Sequence, residues 1–250
     1  MNRRMFLTAG LGLASASLSP RLAAAAAGPA NFKAVAFDAF SVFDPRPVAA
    51  LCETLFPGRG SDLAATWRAR QFEYTWLRTV SNRYANFERV TADALTFAAG
   101  MLKLDATDEK REQLLRAYFA LKAWPDADTA LDKLKSRGLR LALLSNFTPD
   151  MLDGCVKASG LDGVFELALS TDAAQTFKPD ARAYQLGVDA LKLSRDEILF
   201  APFAGWDAAG AKSFGYPTFW IDRMGFPPEE LGAAPDATGA NLADLLDFVG

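Results

Sequence analysis

The sequence predicts an α/β protein built on a doubly wound parallel sheet, with a block of helices inserted after the first strand. Three observations carry this. Lys33-Ala34-Val35-Ala36-Phe37-Asp38 opens on a continuous apolar run of strand length, the pattern of a strand buried on both faces. From about Pro45 to Phe119 the chain then shows helical periodicity and no convincing strand. From Trp124 onward, apolar strands and amphipathic helices alternate to the end.

The helical insert contains DLAATWRARQFEYTWLRTV (62–80) and RVTADALTFAAGMLKL (89–104), both amphipathic. After it, the helix DADTALDKLKSRG (126–138) ends on a glycine suited to a helix C-terminus, and LRLALLS (139–145) reads as the second strand. Then follow helix PDMLDGCVKASG, strand VFELALS, helix PDARAYQLGVDALKL, strand EILFAPF, helix WDAAGAKSFG, strand PTFWID and a last helix NLADLLDFV. No internal repeat or low-complexity linker interrupts this order.

Bulk properties narrow the function. A chain of 250 residues, half of them apolar, buries a substantial core as one large or two modest domains. A net charge of −3 and a pI near 5.2 give no electrostatic footprint for nucleic acid or an acidic membrane surface. The complete lack of His removes the commonest general base, the Ser-His-Asp triad and most zinc sites. Catalysis is therefore left to carboxylates, Lys, Arg and hydroxyls. Cys52 and Cys155 lie far apart without redox or metal spacing and read as small core residues.

Residues 1–27 differ from the rest. Arg3-Arg4-Met5-Phe6-Leu7, a mild Gly/Ala/Ser-rich apolar segment and LAAAAAGPA resemble a twin-arginine export signal, which implies a periplasmic protein with no stable membrane association after cleavage. The apolar run is short and Gly-rich for a membrane span.

In a doubly wound sheet ligands bind outside the carboxyl ends of the strands. The residues there are Asp38, then Ser145 with Asn146, then the segment 171–178 ending in Lys178, then 202–207 ending in Trp206-Asp207. A carboxylate after the first strand, SN after the second, KPD before a helix and WD after a later strand form an ordered set. This set resembles the haloacid dehalogenase (HAD) superfamily, and within it the L-2-haloacid dehalogenases, over nearly all of the chain from Phe32 to Val249. FDAFSVFD is similar to that family's FDAYGTLFD, WRARQFEYTWLR to its cap helix, and LLSNF, FKPDARAYQLG and LFAPFAGWDAAGAKSFG to its later motifs.

The resemblance implies a Rossmann-like HAD core over residues 32–44 and 121–250, with a helical cap over 45–120. It also implies a small 2-halocarboxylate as substrate and no metal or cofactor. Asp38 would displace halide from C2 to form an ester, which water then hydrolyses to a 2-hydroxy acid. Lys178 would be its counter-charge and Asp207 the residue orienting Lys178 and the hydrolytic water. Substrate contacts would come from Ser145, Asn146, Tyr184, Ser41 and Trp206, and Arg68 would meet the departing halide. Arg70 is near enough to Arg68 to be confused with it, while Trp67, Tyr74 and Trp76 read as packing. Apolar cap helices are compatible with a homodimer.

Superfamily phosphatases carry an acid two residues after the nucleophile. Here that position is Phe40, which cannot deliver a proton, whereas halide leaves as a stable anion and needs none. The chain departs from the dehalogenase pattern at two places. Its first loop is one residue shorter, with Ser41 the approximate replacement for a threonine. In the fourth motif Pro202 and Ala204 stand where the family has Ser and Asn. These changes leave two alternatives beside the dehalogenase: an exported binding or vestigial member with lost or altered catalysis, and, against Phe40, a phosphatase.

Overall fold

The computed structural model describes residues 32–250, so the expected export signal lies outside the described residues. At the centre is β1 (Ala34–Phe37), flanked in parallel by β2 (Arg140–Ser145) and β4 (Ile198–Ala201), with β3 (Leu167–Ser170) beyond β2. Every residue of β1 and β4 is buried, the physical reason both read as unbroken apolar runs. The sheet order is β3-β2-β1-β4. The chain therefore winds outward from β1 in one direction and returns to its other side, which puts a switch point between the carboxyl ends of β1 and β4.

PTFWID forms β5 (Phe219–Ile221), joined to β4 by a parallel bridge between Phe200 and Thr218. It pairs in parallel with a short strand not expected from the sequence, β6 (Ala237–Gly239). This strand is only partly buried and Ala-Thr-Gly contains no apolar run to announce it. VFELALS begins its strand only at Leu167; Glu166 instead faces outward and pairs with Arg140.

Four helices fill the insert: α2 (Arg46–Leu55), α3 (Gly60–Val80), α4 (Phe87–Met101) and α5 (Asp108–Ala117), preceded by a one-turn α1 (Ala39–Val42). The ends of the insert lie side by side, since Asp44 N–H donates to Lys122 O at 2.8 Å and Trp124 N–H to Val42 O at 2.9 Å. Gly60 opens α3 against α2, where any Cβ would overlap the backbone of Glu53. Trp67 is buried and its indole N–H donates to Thr91 O at 2.9 Å, tying α3 to α4. In the α3–α4 turn the Tyr84 hydroxyl donates to Asp172 of the core at 2.5 Å.

The remaining helices α6 (Ala127–Ser136), α7 (Pro149–Ser159), α8 (Ala181–Leu191), α9 (Gly205–Phe214) and α10 (Leu242–Val249) cover the sheet. Local capping explains their starts. Thr148 accepts from Met151 N–H with Pro149 at the first position of α7, and Asp180 accepts from Arg182 N–H at the start of α8. Cys52 and Cys155 are unpaired and buried, and burial pushes their thiols up to about 11 and about 12.

Candidate active site

β1 delivers Asp38 to the switch point, where its own N–H donates to Ala201 O at the end of β4 (3.1 Å). Asp38 is also the N-cap of α1: its carboxylate accepts from Phe40 N–H at 3.1 Å. What reads in the sequence as a loop is thus a helical turn that aims a backbone donor at the carboxylate. The other Asp38 oxygen accepts from Lys178 Nζ at 3.1 Å.

Lys178 is almost fully buried and bridges two carboxylates, donating also to Asp207 Oδ2 at 2.9 Å, with its ammonium over the Phe200 ring. Burial alone would lower its pKa, but the charges of Asp207 and Asp38 reverse this and hold the ammonium above its ordinary value. Asp207, at the start of α9, is equally buried. Burial is the largest influence on its carboxyl and the nearby Asp38 charge adds to it, so that despite Lys178 and Tyr184 the group is pushed up to about 6.

The Tyr184 hydroxyl donates to Asp207 Oδ1 at 2.7 Å, and the whole side chain is inaccessible. This corrects the expectation of a substrate contact. Tyr184 lies beneath the site and holds Asp207, an arrangement permitted by Gly210 on α9, whose missing Cβ leaves room for the tyrosine hydroxyl.

The cap contributes Arg68 from α3. Its guanidinium lies between the rings of Phe40 and Phe72, 4.3 and 4.4 Å from their centroids, and its Nη1 is enclosed without a hydrogen-bond partner. Burial lowers its pKa, opposed by Tyr118 and Asp38. A buried guanidinium edge without an acceptor is a receptor for an anion. Arg70, by contrast, pairs with Glu73 at 2.6 Å and stacks on Phe97. Trp67, Tyr74 and Trp76 pack within the cap or against the core as expected.

Between cap and core is a small chamber of about 10 Å³, roughly one water molecule. Asp38, Arg68, Ser145, Asn146, Trp206 and Asp207 line it, together with an aromatic wall that includes Phe40, Phe147 and Phe203. Ser145 Oγ accepts from Phe147 N–H at 3.2 Å, which leaves its proton to donate. Asn146 uses its carboxamide oxygen to hold Lys178 N–H (3.0 Å) and Thr171 (3.3 Å). Trp206 packs on Phe72 and Trp76 and so links core to cap.

Ser41 needs a second correction. It is fully buried and donates to Ala201 O at 2.7 Å, away from the chamber, because on the α1 turn its side chain faces the end of β4. Its carbonyl accepts two hydrogen bonds from Arg223, which also pairs with Asp126 at 2.9 Å. Neither this clamp nor the Phe40 N–H was legible as part of the site. Phe147 and Phe203 fall within LLSNF and LFAPFAGWDAAGAKSFG, where nothing in the residue pattern marks them as walls of the chamber.

A carboxylate at the end of the first parallel strand, a buried Lys held between it and a second carboxylate, and a cap arginine lining the same chamber make a site of the hydrolase class. The comparisons agree. Residues 30–215 match the haloacid dehalogenase-like hydrolase family, and the chain belongs to it. It is 45% identical over 217 residues to an (S)-2-haloacid dehalogenase of Pseudomonas sp. (strain YL), covering 86% of this chain and 94% of that one. A crystal structure of an L-2-haloacid dehalogenase superposes with a TM-score of 0.86 at 42% identity, covering 88% and 99% of the two chains. The L-2-haloacid dehalogenase of Xanthobacter autotrophicus with chloropropionic acid covalently bound superposes with a TM-score of 0.81 at 34% identity, covering 87% and 98%.

Proposed function

We propose that this protein is a hydrolytic (S)-2-haloacid dehalogenase. The observation that carries the reading is the juxtaposition of Asp38, held by Lys178 and Phe40 N–H, with the unpartnered Arg68 Nη1 in one aromatic-walled chamber. An oxygen of Asp38 attacks C2 of the haloacid, the C2–halogen bond breaks, and halide leaves with the bonding pair toward Arg68. The product is an aspartyl ester with C2 inverted. Ser145 donates to the substrate carboxylate.

Water then adds to the ester carbonyl carbon of Asp38. Each Asp38 oxygen has a donor before the reaction, Lys178 Nζ on one and Phe40 N–H on the other, so the oxygen left out of the ester bond keeps a donor when it becomes the oxyanion. Asp207, with a carboxyl near 6, accepts the water's proton at neutral pH. Collapse breaks the bond between the aspartyl carbon and the substrate oxygen; the departing alkoxide takes the remaining water proton from the new Asp38 carboxyl, which releases a 2-hydroxy acid and leaves Asp38 ionised again, and Asp207 gives its proton to solvent. Covalent capture of chloropropionic acid by the Xanthobacter relative supports the ester step. In single turnover in heavy-oxygen water, the label is expected in Asp38 and not in the product hydroxyl. Label in the hydroxyl alone refutes the ester.

A second reading, a member with arrested catalysis, is favoured by Pro202 and Ala204, which give the hydrolytic water no side-chain partner. An Asp38 adduct that persists by intact mass marks that outcome. Two further expectations belong here. Export rests on the Arg3-Arg4 segment and is tested by fractionation and by the N-terminus of the mature protein. A homodimer is supported by Leu77, Val80, Phe97 and Met101, exposed on α3 and α4, and is tested by light scattering.

A further inference from the structure

Beside the catalytic chamber is a second and much larger cavity of about 930 Å³ between α2, α3 and the segment leading out of β5. We propose that this cavity is an acyl pocket, so that the preferred substrates are 2-haloacids carrying an extended, uncharged apolar group on C2. The inference rests on the dehalogenase reading and adds the substrate class to it.

The two cavities share a wall made of Arg68, Phe72, Phe203, Ala204 and Trp206. Ala204 is the smallest of these. It stands where the family pattern has Asn, and a methyl group at this place in the wall occupies less space than a carboxamide. The departure that removes a polar group from the chamber therefore also thins the partition toward the large cavity.

The interior beyond the partition is apolar, with Val48, Ala64 and the rings of Trp67 and Trp220 among its walls. It opens to solvent along the exposed Ala49, Ala65 and Pro228, and its volume far exceeds the needs of a methyl group on C2. The polar groups in its wall are engaged: Glu53 accepts from the N–H groups of Gly58 and Gly60, while Arg46 is paired with Asp44. With Glu229 also in the wall, two carboxylates oppose a second acid group on the substrate. Met224 and Phe226 belong to the same wall and stay about half exposed, an apolar margin suited to a chain longer than the pocket.

The test is kcat/KM for halide release from (S)-2-bromopropionate, 2-bromobutanoate, 2-bromohexanoate and 2-bromooctanoate. Each buried methylene is expected to raise kcat/KM by roughly three- to fourfold along the series. Ala64→Phe, and separately Ala49→Trp at the cavity margin, should flatten the series, bringing kcat/KM for 2-bromooctanoate down to that of 2-bromopropionate in the same variant. Should either variant misfold by circular dichroism, the wild-type series decides alone. Release from 2-bromopropionate with a flat or falling response toward octanoate overturns the acyl pocket and leaves the dehalogenase standing. No release from any member overturns both.

Discussion

Removing the Tyr184 hydroxyl tests whether Asp207 is the base of ester hydrolysis. Tyr184→Phe deletes the 2.7 Å hydrogen bond to Asp207 Oδ1 inside a fully buried site and changes nothing in the chamber itself. A hydrogen bond to an ionised group contributes about 1.5–3 kcal/mol. Because the hydroxyl favours the carboxylate over the acid, its loss raises the Asp207 pKa by about 1–2 units. The starting value is about 6, so the variant's carboxyl titrates between about 7 and 8. In the ester intermediate the Asp38 charge is gone, and with it part of the upward push, so the kcat limbs of wild type and variant both fall at or below these values. At pH 7 the variant is therefore expected to lose up to about tenfold in kcat and to recover it near pH 9. The assay is kcat for halide release at saturating substrate across pH, beside wild type. An acid limb that stays in place while kcat drops uniformly would refute Asp207 as the titrating base.

Other outcomes follow from the same contacts. Asp207→Asn should form the Asp38 ester and then stall, visible as an adduct by intact mass. Lys178→Met leaves two buried carboxylates without a counter-charge; about 3–5 kcal/mol of stability should disappear in urea unfolding, and no ester should form. The stability of wild type should carry an Asp207 signature. Its folded carboxyl, near 6, is raised above the unfolded 3.8, so within that window the folded state binds more protons and this contribution to stability falls as pH rises. Asp207→Asn should remove that slope, as measured by urea midpoints between pH 4 and 6.5. Arg223→Ala, which frees the Ser41 carbonyl and Asp126, should lower kcat with little change in KM, by loosening the α1 turn that carries Phe40 N–H.

Much of this molecule was readable in its residues. The unbroken apolar runs marked β1 and β4 because both faces of each are covered. The carboxyl ends of β1, β3 and β4 then pointed to Asp38, Lys178 and Asp207 as neighbours. Ser41 and Tyr184 were misread for one reason: residue type and spacing do not say which way a side chain faces. A single helical turn swings Ser41 Oγ to Ala201 O, and burial against α9 directs the Tyr184 hydroxyl at Asp207 instead of the chamber. β6 escaped because its three residues are small and partly exposed, held by pairing with β5 and not by an apolar pattern. Arg68 could be told from Arg70 only in three dimensions, where one faces the chamber and the other finds Glu73.

The paired backbone at Asp44–Lys122 and Val42–Trp124 makes the four-helix insert a closed excursion, with entrance and exit in hydrogen-bond contact. The labour of the enzyme is divided along that seam. Nucleophile, ammonium and base all belong to the core, while the anion receptor Arg68 and much of the hydrophobic enclosure belong to the excursion. A short turn grafted from Asp44 to Lys122 would keep the bond-making groups on the core and take away the departing ion's receptor together with the dry walls. The excursion is thus the exchangeable half: new helices on the same two anchors change what the carboxylate meets without moving the carboxylate.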